Sequence, residues 1–237
     1  MSVIAMDTAT DVLALAVADE DGRLMSSLVE FLPRAHSRLL QPSLGHLLAG
    51  ARMNIHDVKL CVTGVGPGSY TGVRIAVAAA KAIGHACSIP IVAVPTVDGM
   101  AMALACAEGQ RFGAFMALID ARRDRAFGCW YRLEDGRLWA QCEPTVQSLA
   151  DWFAIADRER ASIVASGRRL GDSAEAEGVR VRSWNEIAPM MPTALVRLGL
   201  SGSYERFEGE RVHLLAPLYV LPTEAEAKLG AKGEGAE

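Results

Sequence analysis

An apolar run that closes on an aspartate occurs twice in this chain, as 3-VIAMDT-8 and again as 113-GAFMALID-120. Each is followed by two further strand-like runs joined by an acidic glycine turn. In the first half DVLALAVAD and RLMSSLVEFL flank the EDG at 20–22; in the second AFGCWYRL and RLWAQCE flank an EDGR. Acid-glycine pairs between aliphatic runs are hairpin signals, so each half opens as a three-stranded meander. After the first meander the period changes. Leu40, Leu44, Leu47, Leu48 and Ala51 recur at helical spacing. Ser37 fits the N-cap, and Pro42 implies a kinked first turn or a regular helix that begins near Gln41. The strand 59-KLCVTGV-65, a helix from about Thr71 to Cys87 and the strand 89-IPIVAV-94 complete a β-β-β-α-β-α-β order. The second half adds helices around 96–108, 148–156 and 193–206, with a strand at 161–167. A plan run through twice predicts an α/β protein of two tandem units, 1–95 and a smaller 96–221. A charged Gly/Ala-rich tail at 222–237 is expected to fray.

Composition narrows the chemistry. The chain has 237 residues, 51% hydrophobic, enough for a packed core, and its apolar runs fall short of the ~20 residues that span a bilayer. The first residues carry Asp7 and no basic stretch, unlike a secretory leader. Five cysteines, scattered and without a C-x-x-C pair, imply reduced thiols and a cytoplasmic location. A net charge of −4 gives no global attraction for nucleic acid, so any RNA contact is local or comes through a partner. The compact basic cluster is Arg122, Arg123 and Arg125. No two of the five histidines lie three or four residues apart, so no metal pair on one helix face is encoded and no cofactor is expected.

The stretch 64-GVGPGSYTGVRIAVAAAKAIG-84 invites a phosphate loop, yet it lacks the Lys-Ser/Thr of a P-loop and misses G-x-G-x-x-G by one residue in either register. A G-x-S-x-G nucleophile elbow fails because Thr71 stands where a glycine is needed. The remaining reading is a turn that launches a helix. Gly66, Pro67 and Gly68 turn the chain, and Ser69 or Thr71 caps a helix that continues through Gly72 and Arg74. Arg74 opposes the helix dipole, which implies a partner acid or a phosphate. Ala76, Ala80 and Gly84 form a stripe almost without side chains, and Val73, Val77 and Ile83 make a second apolar face. A helix apolar on most sides is buried on most sides. Leu40, Leu44, Leu47, Val73, Ala76, Ala80, Ile83 and Gly84 are therefore expected at an interface between subunits, with coverage by the chain's own sheet as the other reading.

The Gly-rich core, together with 6-MDTAT-10, 36-HSRLLQP-42 and 118-LIDARRDRAF-127, resembles the bacterial TsaB family, also called YeaZ; a fainter echo lies in 216-APLYVLPTEAEAK-228. The resemblance covers residues 1 to about 131, and G-P-G-S-[FY]-T-G-x-R is a specific string. It implies two ribonuclease-H-like units of the actin-like ATPase superfamily, the second reduced. It also implies a non-catalytic partner of the TsaD transferase, which makes threonylcarbamoyladenosine beside the anticodon of tRNAs reading codons that begin with A. The ATPase TsaE would join the pair, a homodimer would form without TsaD, and tRNA would be met only through the complex. In that superfamily strand-end acids handle phosphate and metal, so Asp7, Thr8 and Thr10 fit a vestigial phosphate site as well as they fit a tight turn; Asp120 among its arginines reads as a charged turn. An independent ATPase or sugar kinase is the rival, for which 162-SIVASGRRLGDS-173 offers a weak adenosine loop.

Overall fold

The computed structural model describes residues 2–32 and 34–220; the tail expected at 222–237 lies outside the described residues. Strands β1 (Ser2–Asp7), β2 (Leu13–Ala18) and β3 (Leu24–Glu30) form the first meander. Helix α1 (His36–Gly50), β4 (Val58–Gly64), α2 (Tyr70–Cys87), β5 (Ile91–Val94) and α3 (Thr96–Ala107) follow. The second meander is β6 (Gly113–Asp120), β7 (Arg125–Glu134) and β8 (Arg137–Ala140), then β9 (Thr145–Ser148), α4 (Leu149–Glu159), β10 (Ser162–Ser166), α5 (Arg168–Ala176) and β11 (Val181–Ser183). The chain closes through α6 (Trp184–Ile187), α7 (Met191–Leu200) and β12 (Arg206–Phe207).

Two mixed sheets result, ordered β12-β5-β4-β1-β2-β3 and β11-β10-β6-β7-β8, with β9 paired to β7. In each, the first three strands are antiparallel and the two that follow run parallel to the first. The duplication read from the meanders is thus a duplication of strand order, with β6, β7, β8, β10 and β11 in the places of β1 to β5.

Strand alternation decides which layer lies on which face. On β1 and β2, Ile4, Met6, Leu13, Leu15 and Val17 point outward and are covered by α1 and α2. Their neighbours Val3, Ala5, Ala14, Ala16 and Ala18 point inward, where α3 and α7 fill the space between the two sheets. Small inward residues let α7 approach closely; a Cβ on Gly199 would meet Val62 at 2.2 Å. Trp152, Phe153, Leu170 and Ala174 of α4 and α5 cover the outer face of the second sheet. The layers run helices, sheet, helices, sheet, helices.

The structure departs from the sequence reading at three places. Helix α1 is continuous from His36 with Pro42 inside it, since the ring of Pro42 faces solvent and its missing N–H removes one bond of the ladder. The helix expected over 193–206 ends at Leu200, and the residues after it form β12, which pairs with β5 of the first sheet. Helix α7 and β12, expected within the 96–221 unit, lie against the first sheet.

Candidate functional site

Three glycines of the motif are dictated by how closely the loop lies on the turn after β1. A Cβ on Gly64 would sit 1.7 Å from Asp7 Oδ2, on Gly68 2.2 Å from the Ala9 carbonyl, and on Gly72 2.0 Å from the Thr8 carbonyl. The Ser69 amide donates to the Ala9 carbonyl at 2.6 Å, and the Thr8 hydroxyl donates to the Gly72 carbonyl at 2.6 Å. Ser69, not Thr71, caps α2, accepting from the Gly72 amide at 3.3 Å, while Thr71 faces solvent. At Gly66 φ is +94°, a conformation glycine permits, and the Gly66–Pro67 bond is cis. The amide and carbonyl of Gly66 both pair with Thr96 at the start of α3.

The result is a closed turn. Asp7 is 2% exposed and Thr8 is fully buried. Asp7 Oδ1 accepts from the Ala9 amide at 2.8 Å and Oδ2 from the Thr96 hydroxyl at 2.7 Å. Burial pushes the Asp7 carboxyl up to about 6 from an ordinary 3.8, opposed by the Thr96 and Ala9 hydrogen bonds. The Thr10 hydroxyl accepts from the Val12 amide and from the Trp184 indole. Asp7, Thr8 and Thr10 do not form an open anion site: their polar groups are committed to the Ala9 and Val12 amides, to Thr96 and Trp184, and, for Thr8, to the motif loop laid over them.

The predicted interface residues are also internal. Leu40, Leu44, Leu47, Val73, Ala76, Ala80, Ile83 and Gly84 are all buried, the seven side chains packed on the outer face of the first sheet. Gly84 lies against Ile91 of β5, which a Cβ there would meet at 2.6 Å. The stripe is apolar because β1, β4 and β5 lie under it, while α1 covers β2 and β3. The opposite surface of the helix pair carries Gln41, Gly45, His46 and Ala49 on α1 and Arg74, Ala78, Ala82 and Ala86 on α2, all exposed. A Cβ on Gly45 would meet nothing within 4 Å.

Among the described residues Arg74 is held by aromatic side chains rather than by an acid. Its guanidinium stacks 4.0 Å from the Tyr70 ring centroid, and its Nε donates to the Tyr219 hydroxyl at 2.7 Å. Tyr70 and Tyr219 stack with centroids 5.3 Å apart. Lys81 Nζ donates to the carbonyls of His213 and Leu215, and the Leu218 amide donates to Val65 at 2.7 Å. Together these contacts bind the segment before Val220 along α2, so the Gly-rich stretch and the described part of 216–228 are physically adjacent. Leu214 on that segment is 67% exposed. Nothing in the sequence marked this pairing except the spacing-independent presence of Tyr70, Arg74 and Tyr219.

In the second half, Asp120 is half-buried and accepts from the Arg122 amide at 2.7 Å, a turn-stabilising bond. Arg122 and Arg123 lie exposed in that turn with φ of +63° and +54°. Arg125 is half-buried and its Nε has no partner among the described residues, so the basic cluster reaches the surface with two of its three members. Among the described residues no group of His, Cys, Asp and Glu could hold a metal ion, and no helix is long and apolar enough to cross a membrane.

A doubled β3-β2-β1-β4-β5 sheet with helices between and outside defines a tandem ribonuclease-H-like protein of the actin-like ATPase class. Component A of (R)-2-hydroxyglutaryl-CoA dehydratase from Acidaminococcus fermentans shares this fold at 8% identity, with a TM-score of 0.51 over 85% of this chain and 98% of that one. YeaZ from Pseudomonas aeruginosa superposes with a TM-score of 0.70 at 25% identity, over 92% of this chain and 99% of its own. The family model described as TsaD, tRNA N6-adenosine threonylcarbamoyltransferase, matches residues 30–171. The tRNA threonylcarbamoyladenosine biosynthesis protein TsaB of Bacillus subtilis is 30% identical over 236 residues, 96% of this chain and 97% of that protein. The Escherichia coli protein of the same name is 29% identical over 141 residues, 59% of this chain and 58% of its own length. The end-to-end match decides between the two names: the chain belongs to the TsaB (YeaZ) family.

Proposed function

We propose that this chain serves tRNA threonylcarbamoyladenosine biosynthesis as the non-catalytic partner of a TsaD-type transferase in the cytoplasm. A TsaE-type ATPase joins the pair, and tRNAs reading codons that begin with A are met through the complex. The observation that carries the reading is the closure of the Asp7 turn: both carboxylate oxygens are bonded internally and the motif glycines bring backbone onto the loop. Such a turn supports a surface; it does not offer an acid to substrate. The surface it supports is the outer side of α1 and α2, where Gly45, Ala49, Ala78 and Ala82 leave low relief beside the Tyr70–Arg74–Tyr219 stack. Two helices of the transferase, or of a second copy when the transferase is missing, pack there as a four-helix seam. An interface of that kind buries a standard area of roughly 1,600 Å².

The test is reconstitution. The modification assembled from the transferase, the ATPase and tRNA is expected to fall to background when this chain is left out. The chain alone is expected neither to turn over ATP nor to hold tRNA tightly, given its net charge of −4. Steady-state ATP turnover near about 1 per second by the isolated chain would overturn the non-catalytic reading and favour the kinase-like rival. Full modification without the chain would overturn the pathway assignment.

A further inference from the structure

We propose that Cys129 and Cys142 form a redox-sensitive pair, which closes to an intrachain disulfide by exchange with a small-molecule disulfide of the glutathione class. The two sulfurs come from different elements: Cys129 from the middle of β7, and Cys142 from the connection between β8 and β9. They lie 3.1 Å apart, with the Cys142 thiol directed at Cys129 Sγ. The Cys129 thiol in turn donates to the Cys142 carbonyl at 2.8 Å. Side chain and backbone of the two residues are thus already in register. A closure of about 1 Å reaches the bonded S–S length of roughly 2.05 Å.

The pair is asymmetric in the way exchange chemistry needs. Cys129 is fully buried in the layer between the sheets, while Cys142 is half-buried on its rim. Once Cys142 ionises, the Cys129 thiol can turn from the Cys142 carbonyl and donate to its sulfur; that bond lowers the Cys142 thiol to about 7 and, together with burial, raises Cys129. Cys142 is therefore the attacking thiolate and Cys129 the resolving thiol. In the first step Cys142 Sγ bonds to one sulfur of the small disulfide and its partner leaves as a thiolate, which takes up the proton Cys142 gave up. In the second, Cys129 loses its proton and attacks Cys142 Sγ, displacing the remaining half as a thiolate that takes up that proton. Two protein thiols are oxidised, one small disulfide is reduced to two thiols, and no other reactant is required. The remaining cysteines, Cys61, Cys87 and Cys106, make no thiol–thiol hydrogen bond among the described residues.

The experiment uses the full chain, incubated with oxidised or reduced glutathione. Thiols titrated after unfolding are expected to fall from five to three in the oxidised sample, with a mass lower by two hydrogens and a peptide linking 129 to 142. Cys129→Ser is expected to stop at the mixed disulfide on Cys142, and Cys142→Ser to leave all four remaining thiols free of an intrachain bond. Should the buried Cys129 variant fail to fold, the half-buried Cys142 variant and the peptide map still decide. Five free thiols after oxidation, a persistent glutathione adduct on the unaltered chain, or a bridge that uses another cysteine would each overturn the proposal.

Discussion

The two sheets end their first strands in the same way and use the ends differently. In each, an aspartate closes the strand and a glycine at the end of the first crossover strand presses on it. A Cβ at Gly64 would meet Asp7 Oδ2 at 1.7 Å, and one at Gly167 would meet Asp120 Cβ at 2.6 Å. Around Asp7 the motif loop and Thr96 close the turn into the core, whereas Asp120 remains half-exposed and holds a short arginine turn. One plan therefore yields a sealed end and an open end. What differs is the covering element: α2 is entered through a Gly-Pro-Gly-Ser loop laid over residues 7–9, while α5 is entered at Gly167 with no side-chain cap.

The comparison breaks first at the glycines. Gly64→Ala forces a methyl onto a buried, fully bonded carboxylate that cannot swing away, and is expected to cost about 3 kcal/mol or more. That corresponds to a fall in Tm of roughly 6–12 °C for a chain of this size, read by thermal unfolding followed by circular dichroism. A loss within a degree or two would mean that the first turn is as yielding as the second.

Protonation gives the next largest effect. Asp7 binds its proton more tightly folded than unfolded, since burial raises it from 3.8 to about 6. The folded state therefore gains relative to the unfolded one as pH falls through that window, and stability declines as pH rises from about 4 to about 6, then levels. Asp98, raised to about 6 by burial against the hydrogen bonds from Tyr131 and Tyr204, adds a decline of the same sign. Asp7→Asn is expected to remove its own share, about 3 kcal/mol across the window, and leave that of Asp98. Denaturant melts of both proteins at several pH values measure the difference; identical slopes would show that Asp7 is not desolvated.

Gly167→Ala is the smallest of the three. Its φ of +122° disfavours any side chain, but residues 167–169 are exposed and can shift. A cost of about 1–2 kcal/mol is expected in the same thermal melt. A loss equal to that of Gly64→Ala would erase the distinction between a sealed and an open end.

The sequence made the strands legible because their aliphatic runs are long and end in turn chemistry. It made α1 and α2 legible because leucine, valine and alanine recur at helical spacing. It did not show α5 or β11. In 168-RRLGDSAEA-176 only Leu170 and Ala174 are buried, too thin a stripe to stand out, and β11 has three residues. Strand β12, with two, is defined wholly by its partner β5. The interface expectation failed for a related reason. Apolar periodicity identifies the covered face of a helix, but it is silent on whether the cover is a sheet of the same chain or another subunit. Ala76, Ala80 and Gly84 are small because β1, β4 and β5 lie beneath them. Residues that would serve a partner, such as Ala78 and Ala82, sit in the same small-residue run one helical face away.

That face is where pairing is decided, and one pair of substitutions separates it from the inner stripe. Ala82 is exposed on the outer side of α2, and Ala80 is fully buried on the inner side. Pairing with a TsaD-type transferase is read by co-elution, and folding by a thermal melt of the isolated variant. Ala82→Arg is expected to abolish co-elution with the melt unchanged within about 2 °C, because surface substitutions away from special features cost within about 0.5 kcal/mol. Ala80→Trp is expected to lower the melt outright, because overpacking a filled core costs about 1–3 kcal/mol or more. Undiminished co-elution of Ala82→Arg, or an Ala80→Trp chain that melts like the parent yet no longer pairs, would contradict the account and return the interface to the inner stripe or place it elsewhere.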